Sequence, residues 1–551
     1  MTIIAAIRAD LETSDIGTRS RLADELGGVP ILRRTVDRLS RVRSVSTIYV
    51  LCPAGQAERC RRLLEGTRAV VREFAFTPSP WRSLVRSARK WSLDGWRGGI
   101  GGTTYFDEFT DLALLCSLVS AEKADAVLSI PAAAPLLAPE IAEDMIRHRA
   151  AAGEQARLVF TAAVPGLAGI LLDAGLIGEL VEKGVPVGAM FSYKPDAPRK
   201  DLIFQQCSLD LPAELRFAAG RLVADSDRAM ERIASVMRQC PEGDGRQLGQ
   251  WLIQRDDSYV EPMPREVEIE LTTDDPYPQT LLRPRGSAVG RRGPMDLRWF
   301  ARVATELQSF DDSLLVLGGF GDPLRHLDFP AVLRLVRPAG GVPGVFGLAI
   351  KTAGVDLTDA AAEAILAARV DVLSLTLDAW TPPTYARLHS PTDAAKADLE
   401  ATLGRAQRLT DRRLAAQSVV PILVPEFCKS RENVEEMDAF FDGWLRRNGA
   451  VSITGYGHYG AQLADRSVID MRPPVRTACR RIRSRCTILA DGSVVVCDQD
   501  FRGRVVVGSV IRQSLREVWQ GEAMQRIRQA HQKQDWEATE LCATCEEWHR
   551  P

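Results

Sequence analysis

Apolar positions run in two rhythms over the first 240 residues. Short apolar runs, TIIAAI from Thr2, STIYVLC from Ser46 and ADAVLSI from Ala124, read as buried strands. Between them the spacing turns helical. PILRRTVDRLSRV sets apolar residues at 31, 32, 36 and 39, with Pro30 in the first turn, and further helices are predicted near Ala57 to Leu64 and from Pro139. Strand alternating with helix predicts an α/β domain with a mainly parallel sheet over 1–240. Residues 241–264 are polar and carry proline and glycine, which suits a linker. From Val267 six strand-like runs follow (VEIELT, LLVLGGFGDPL, FGLAIKTAG, VDVLSLTLDA, AAQSVVPILV, VSITGYG), separated by helical stretches such as DLRWFARVATELQS. Six βα units over 265–470 predict a partial (β/α)6 barrel, short of the closed eightfold one. The tail, 471–551, changes character. TILADGSVVVC brackets Asp491-Gly492 as a two-residue hairpin signal, and SLREVWQGEAMQRIRQAH opens on the N-cap Ser514, with Leu515, Val518, Trp519 and Ile527 on one helical face.

Composition narrows the function. A chain of 551 residues with 45% apolar residues, 26% charged residues and a net charge of −2 has no basic field for sequence-independent nucleic-acid binding. The opening MTIIAAIRADLETSD is too short and too soon charged for a secretory signal, and no apolar run approaches a membrane span, so a cytoplasmic location is expected. Eleven cysteines, an odd number, fit reduced thiols better than a disulfide framework. Four of them, Cys479, Cys497, Cys542 and Cys545, gather in the tail, the last two as a CxxC knuckle, and a metal is the chemistry that most often calls for such a set. Cys486 suits core packing. Cys52, Cys60, Cys116, Cys207, Cys240 and Cys428 lack ligand spacing, as do His326, His389, His458 and His549. KWSLDGWRGGIGGTTYFDEF, from Lys90, joins four glycines to aromatic flanks and reads either as a packed structural loop or as a ligand lid.

Three resemblances give these segments expected roles. IIAAIRAD, GTRSRLADELGGVPILRRTVDRL, IYVLC and AVLSIPAAAPLLAPEIAEDMI resemble nucleotidyltransferases of the cytidylyltransferase type. The resemblance implies a nucleotide or nucleotide-sugar ligand, with Arg19 and Arg21 in the wrapping loop. Where that family holds its metal on an aspartate, this chain has Ala133, which offers a hard cation no oxygen ligand. Asp225 resembles the second metal aspartate, so a retained fold with altered or lost chemistry is expected.

The middle resembles the radical S-adenosylmethionine (SAM) fold. GGFGDPL resembles its glycine-rich strand end, which implies SAM contacts at Gly318, Gly319, Gly321 and Asp322. TLDAWTPPTYARLH resembles a second segment, with Asp378 and Tyr385 in the matching places. The family's CxxxCxxC is missing. Asp275, Gln279 and Leu282 stand in register with its three cysteines, and leucine and glutamine are no substitutes for thiolates on iron, so SAM can at most bind without being cleaved.

The tail resembles the SPASM or twitch module that follows such barrels, which implies that Cys479, Cys497, Cys542 and Cys545 ligate one 4Fe-4S cluster. Zinc stays open beside it, although a zinc ribbon usually brings two CxxC knuckles where this tail has one. The expected protein is an iron–sulfur protein in which the cluster serves electron transfer, with a redox partner, or structure. Two alternatives stand beside it: a nucleotide-sugar-related nucleotidyltransferase and a non-catalytic partner-binding protein.

Overall fold

A computed structural model describes residues 1–75, 80–198, 201–256, 260–338, 344–393 and 396–550. It is a mixed α/β structure of two compact units, Met1–Asp256 and Asp257–Pro551.

The strands of the first unit are β1 (Ile3–Arg8), β2 (Glu25–Leu26), β3 (Val29–Pro30), β4 (Ile48–Pro53), β5 (Val70–Phe74), β6 (Ala126–Pro131), β7 (Leu158–Val159) and β8 (Ile170–Asp173). Six of them form one sheet in the order β5-β4-β1-β6-β8-β7, while β2 and β3 make a separate small ribbon. β1, β4, β5 and β6 are parallel, and β8 is antiparallel to both β6 and β7. All six residues of β1 and of β6 are buried, as strands covered by helices on both faces must be. β1 lies between β4 and β6, so crossovers leave it in both directions and open a crevice beyond its carboxyl end.

One expectation about this unit changes, and one left open is narrowed. Gly245–Asp256, inside the stretch read as a linker, is a helix of the first unit. It packs so closely on the turn Ala213–Arg216 that a Cβ at Gly249 would lie 2.3 Å from the Glu214 carbonyl oxygen. Polar composition alone could not distinguish this surface helix from a linker. The loop from Lys90 is a packed structural one. The Trp96 ring lies 5.1 Å from Phe160, 5.6 Å from Phe191 and 6.0 Å from Phe106, and Gly98, Gly101 and Gly102 take positive φ to turn the chain around it.

The second unit holds β9 (Glu266–Glu270), β10 (Leu314–Gly318), β11 (Gly347–Thr352), β12 (Val372–Thr376), β13 (Ile422–Lys429), β14 (Ser452–Gly455), β15 (Arg485–Ile488), β16 (Ser493–Val495) and β17 (Val506–Ser509). They form one nine-stranded sheet in the order β14-β13-β12-β11-β10-β9-β15-β16-β17. β9 to β14 are mutually parallel, with helices such as Leu297–Gln308, Asp359–Ala367 and Leu399–Ala415 between them; five carry their predicted runs, whereas β13 shares only Ile422, Leu423 and Val424 with AAQSVVPILV and continues through PEFCK. The boundary expected at 470/471 falls inside this unit. β15 pairs in parallel with β9, Cys486 beside Val267 and Ile488 beside Ile269, so the tail hairpin continues the sheet. The hairpin loop is one residue longer than its Asp-Gly signal suggested: Leu489 N–H donates to Ser493, leaving Ala490, Asp491 and Gly492 outside, with Gly492 left-handed at φ +79°. The predicted helix from Ser514 is two, Leu515–Gln520 and Glu522–Gln532, separated at Gly521, whose backbone is extended. Ser514 and Glu517 form a capping box, and Leu515, Val518, Trp519 and Ile527 are buried as expected.

Candidate metal centre and adjoining cavity

The four tail cysteines arrive from three places: Cys479 just before the short helix Arg481–Ser484, Cys497 just past β16, and Cys542 and Cys545 around the helix Glu540–Ala543, which Thr539 caps by accepting from Cys542 N–H. Cys479 and Cys542 are buried, Cys497 and Cys545 half-buried, and all four are free thiols. They lie within electrostatic reach of one another. Burial pushes Cys545 up to about 12, with Cys479 and Cys542 adding to the rise. Burial also raises Cys497 well above its usual value, as do Asp498, Cys479 and Cys545, and it raises Cys542, again with help from Cys479. Cys479 is the common neighbour. As they stand, no three or more His, Cys, Asp or Glu side chains among the described residues converge to hold a metal ion. The donor set nonetheless fits an iron–sulfur group. Four soft sulfurs, two buried and two half-buried, belong to one module with Cys479 as common neighbour, the Glu547 N–H donates to Cys545 Sγ at 3.3 Å, and a cation stands beside them.

That cation is Arg481. Burial works against its charge, but Asp498, Cys497 and Cys479 outweigh burial and hold its pKa above the usual arginine range. Its Nη1 donates to Asp498 at 2.7 Å, while its Nε is buried without a hydrogen-bond partner. His531 backs the centre from the other side. Its Nδ1 accepts from Cys479 N–H at 3.3 Å, and burial pushes the imidazole down to about 4.

Arg481 is also part of the wall of a cavity of about 490 Å³ beyond the carboxyl ends of the parallel strands. Glu268, Lys351 and Glu426 line it from β9, β11 and β13, and Asp498 and Gln499 from the cysteine module. The Oε1 of Gln499, a buried residue, has no hydrogen-bond partner. Gly319, Gly321 and Asp322 line the same cavity beyond β10, which ends on Gly318. Close packing explains these glycines. A Cβ at Gly321 would lie 2.2 Å from the Thr272 carbonyl oxygen, and one at Gly319, with φ +81°, 2.7 Å from Glu270 Cβ. The Asp322 carboxylate ties strand ends together, accepting from Leu324 N–H at 3.0 Å, Ala353 N–H at 2.9 Å and the Thr352 hydroxyl at 2.8 Å. Burial, with Asp275 adding to it, pushes Asp322 up to about 6.

Of the three residues that the sequence resemblance set in register with radical-SAM cysteines, Asp275 and Leu282 line this wall and Gln279 is exposed outside it. Asp275 pairs with Arg285 at 2.8 Å, Gln279 accepts from Thr392, and Leu282 is 1% exposed in the core. Arg283, from the same loop, pairs with buried Asp378 and lines the cavity. Asp378 also accepts from Cys428 N–H at 2.7 Å and takes a left-handed φ of +59°; Arg283 is the guanidinium that holds it below the usual carboxylate range against burial. Tyr385 is buried and donates to the Tyr277 hydroxyl at 3.3 Å.

In the first unit, Arg19 pairs with Asp24 at 2.7 Å, and Arg21 with Asp227 at 2.7 Å. Asp225, matched to a metal aspartate, is taken by a guanidinium. Arg221 Nε reaches both its oxygens, at 3.1 and 3.0 Å, and Arg221 Nη2 bonds Asp225 and, at 2.8 Å, Glu108. Sequence reasoning missed Arg221, Arg283, Arg285 and Arg481. Arg283 and Arg285 lie just past the residues set in register with radical-SAM cysteines, and Arg221 is four residues before Asp225, so a search for cations beside those positions could have found these three.

Comparison with known proteins adds the following. A protein of Treponema pallidum described as uncharacterized is 27% identical over 249 residues, 43% of this chain; the match spans 65% of that relative, just under two thirds. Among solved structures, BtrN in complex with AdoMet and 2-DOIA is 14% identical, with 51% of this chain and 93% of that one covered and a TM-score of 0.33. Streptococcus suis SuiB bound to precursor peptide SuiA is 11% identical over 52% and 72%, with a TM-score of 0.39. A cytidylyltransferase of Leptospira borgpetersenii is 12% identical over 46% and 95%, with a TM-score of 0.33. Residues 479–546, which contain the four cysteines, match the SPASM family, described as an iron–sulfur cluster-binding domain.

Proposed function

We propose that the protein is an iron–sulfur protein whose tail holds one 4Fe-4S cluster through Cys479, Cys497, Cys542 and Cys545, behind a radical-SAM-like partial barrel that does not cleave SAM. The observation that carries this reading is the contrast between two parts of one unit. In the tail, three segments bring Cys497, Cys542 and Cys545 within electrostatic reach of Cys479. In the other, the positions for three thiols are taken by an ion-paired aspartate, a glutamine and a core leucine. When bound, a cluster with thiolate on all four irons supplies one-electron transfer or structural cohesion, without an open site for substrate. The residues around it exclude water and set the local charge.

Anaerobic purification followed by iron, sulfide and zinc analysis tests the reading. Four irons and four sulfides per chain are expected, with no 5′-deoxyadenosine formed from SAM and a strong reductant. Zinc without sulfide, or clear SAM cleavage, would sink it. Arg481 gives a finer check. Loss of a cation beside the thiolates disfavours added electrons, so Arg481→Gln should move the midpoint potential down and Asp498→Asn should move it up. Equal potentials in all three proteins would refute that electrostatic role. Nucleotidyl transfer in the first unit is disfavoured, because Arg221 already holds both oxygens of Asp225.

A further inference from the structure

The proposed function gives the cavity beyond the barrel strands no occupant, yet its wall carries a charge that the protein leaves unanswered. Every arginine and lysine lining it is already paired with a carboxylate. Arg283 bonds Asp378 at 3.0 Å, Arg285 lies 2.8 Å from Asp275, Lys351 3.2 Å from Glu268, Arg481 2.7 Å from Asp498 and Arg550 2.6 Å from Glu547. His389 adds no charge. Burial holds its imidazole below the usual range, and its Nε2 meets the Leu377 carbonyl at 2.9 Å.

Glu426 is the carboxylate left over. It is half-buried on β13, and its register partner on β12, Thr376, lines the same cavity, so the two share a face of the sheet. Its backbone carbonyl accepts from Leu377 N–H at 3.2 Å and Asp378 N–H at 3.0 Å, but among the described residues its carboxylate has no hydrogen bond and no ion pair. Lys351 is no spare partner. Glu268 is the first cause of its raised pKa, and Glu426, Glu266 and Asp498 add to the rise against burial, so one ammonium stands among four carboxylates. Acceptors without donors recur across the wall. Gln499 is 7% exposed, and its Oε1 has no hydrogen-bond partner. A Cβ at Gly457 would stand 3.6 Å from that oxygen and 3.7 Å from Glu547 Oε1, so the missing side chain leaves a gap edged by two acceptors.

We propose that this cavity binds a small polyhydroxylated primary amine, its ammonium paired with Glu426 and its hydroxyls donating to acceptors such as Gln499 Oε1. The volume of about 490 Å³ lies within the ~300–1,000 Å³ of small-molecule sites. A charge-assisted bond to a carboxylate is about twice as strong as a neutral one, so the ammonium end decides the binding. A carboxylate end meets Glu426 and finds no unpaired cation, and a hydroxyl end leaves the Glu426 charge uncompensated. The site belongs to the barrel and asks nothing of a cluster in the tail.

Calorimetric titration of the full chain with glucamine, sorbitol and gluconate, which share one carbon chain and differ at one end, tests the proposal. Glucamine should bind, sorbitol should bind at least tenfold more weakly, and gluconate should not bind. Glu426→Gln keeps the size and removes the charge, and it should weaken glucamine at least tenfold with no change in thermal midpoint, because no partner is lost. Gly457→Ala, whose Cβ meets nothing closer than 3.6 Å, should fold as wild type does and weaken glucamine severalfold by narrowing the gap. Absence of glucamine binding, equal binding of sorbitol, or undiminished binding by Glu426→Gln would overturn the proposal. Binding of SAM in place of glucamine would also overturn it and assign the cavity to SAM.

Discussion

Replacing Cys497 with alanine is expected to strip iron and sulfide from the protein and to loosen its last eighty residues. Cys497 comes from a different segment from the Cys542–Cys545 knuckle, so as a ligand of the proposed cluster its thiolate would tie the end of β16 to the helix Glu540–Ala543. Metal binding and folding are linked when the ligands come from separate segments, because the unfolded chain holds no such site. The readouts are iron and sulfide per chain, the visible spectrum, and limited proteolysis after residue 470. Cys116→Ser, in a helix of the other unit, is the control and should keep full iron. Retention of iron and sulfide by Cys497→Ala would remove that residue from the ligand set.

Arg221→Met should cost about 3–5 kcal/mol of stability, the range for removing one partner of a buried ion pair. The guanidinium is 4% exposed and serves both Asp225 and Glu108, so its loss leaves two carboxylates without a cation they now share. The loss should also depend on pH. Burial lifts Asp225 to about 6 even with Arg221 pulling it down. A carboxyl whose folded pKa lies above its unfolded value holds its proton more tightly when folded, so the stability it contributes at low pH is lost as pH rises through that pKa. Without Arg221 the folded value climbs further, and the variant should fall further behind wild type at pH 8 than at pH 5. Denaturant melts at the two pH values measure this; an equal deficit at both would contradict the assignment.

Strands and helices were legible wherever one rhythm of apolar residues ran uninterrupted. β1, β4 and β6 fall where TIIAAI, STIYVLC and ADAVLSI said they would, and β9 to β12 and β14 follow their runs, while β13 starts late, at Ile422, and runs on to Lys429. The cysteines were legible because thiols are scarce and their spacing is informative. Long-range pairing was not. Nothing in CRRIRSRCTIL says that its strand will lie beside VEIEL some 220 residues earlier, since both are short apolar runs that would suit many neighbours. The arginines escaped for a related reason. A sequence shows that an expected ligand type is absent more readily than it shows which side chain stands in the space, and Arg283 matters through a partner 95 residues away and Arg221 through partners 4 and 113 residues away.

The parallel pairing of β15 with β9 bears on how the chain could have changed over time. A cluster site in an autonomous appendage can be shed with its domain once its use lapses. Here the hairpin that leads to Cys497 also covers one edge of β9, and the Trp519 indole behind it donates to the Glu261 carbonyl at 2.7 Å, just upstream of that strand. Deletion of the tail would leave β9 as a bare edge with unpaired N–H and C=O groups, an invitation to aggregate. A loop held by local pairs such as Asp275 with Arg285 can change one residue at a time. A tail woven into the sheet has no such gradual exit.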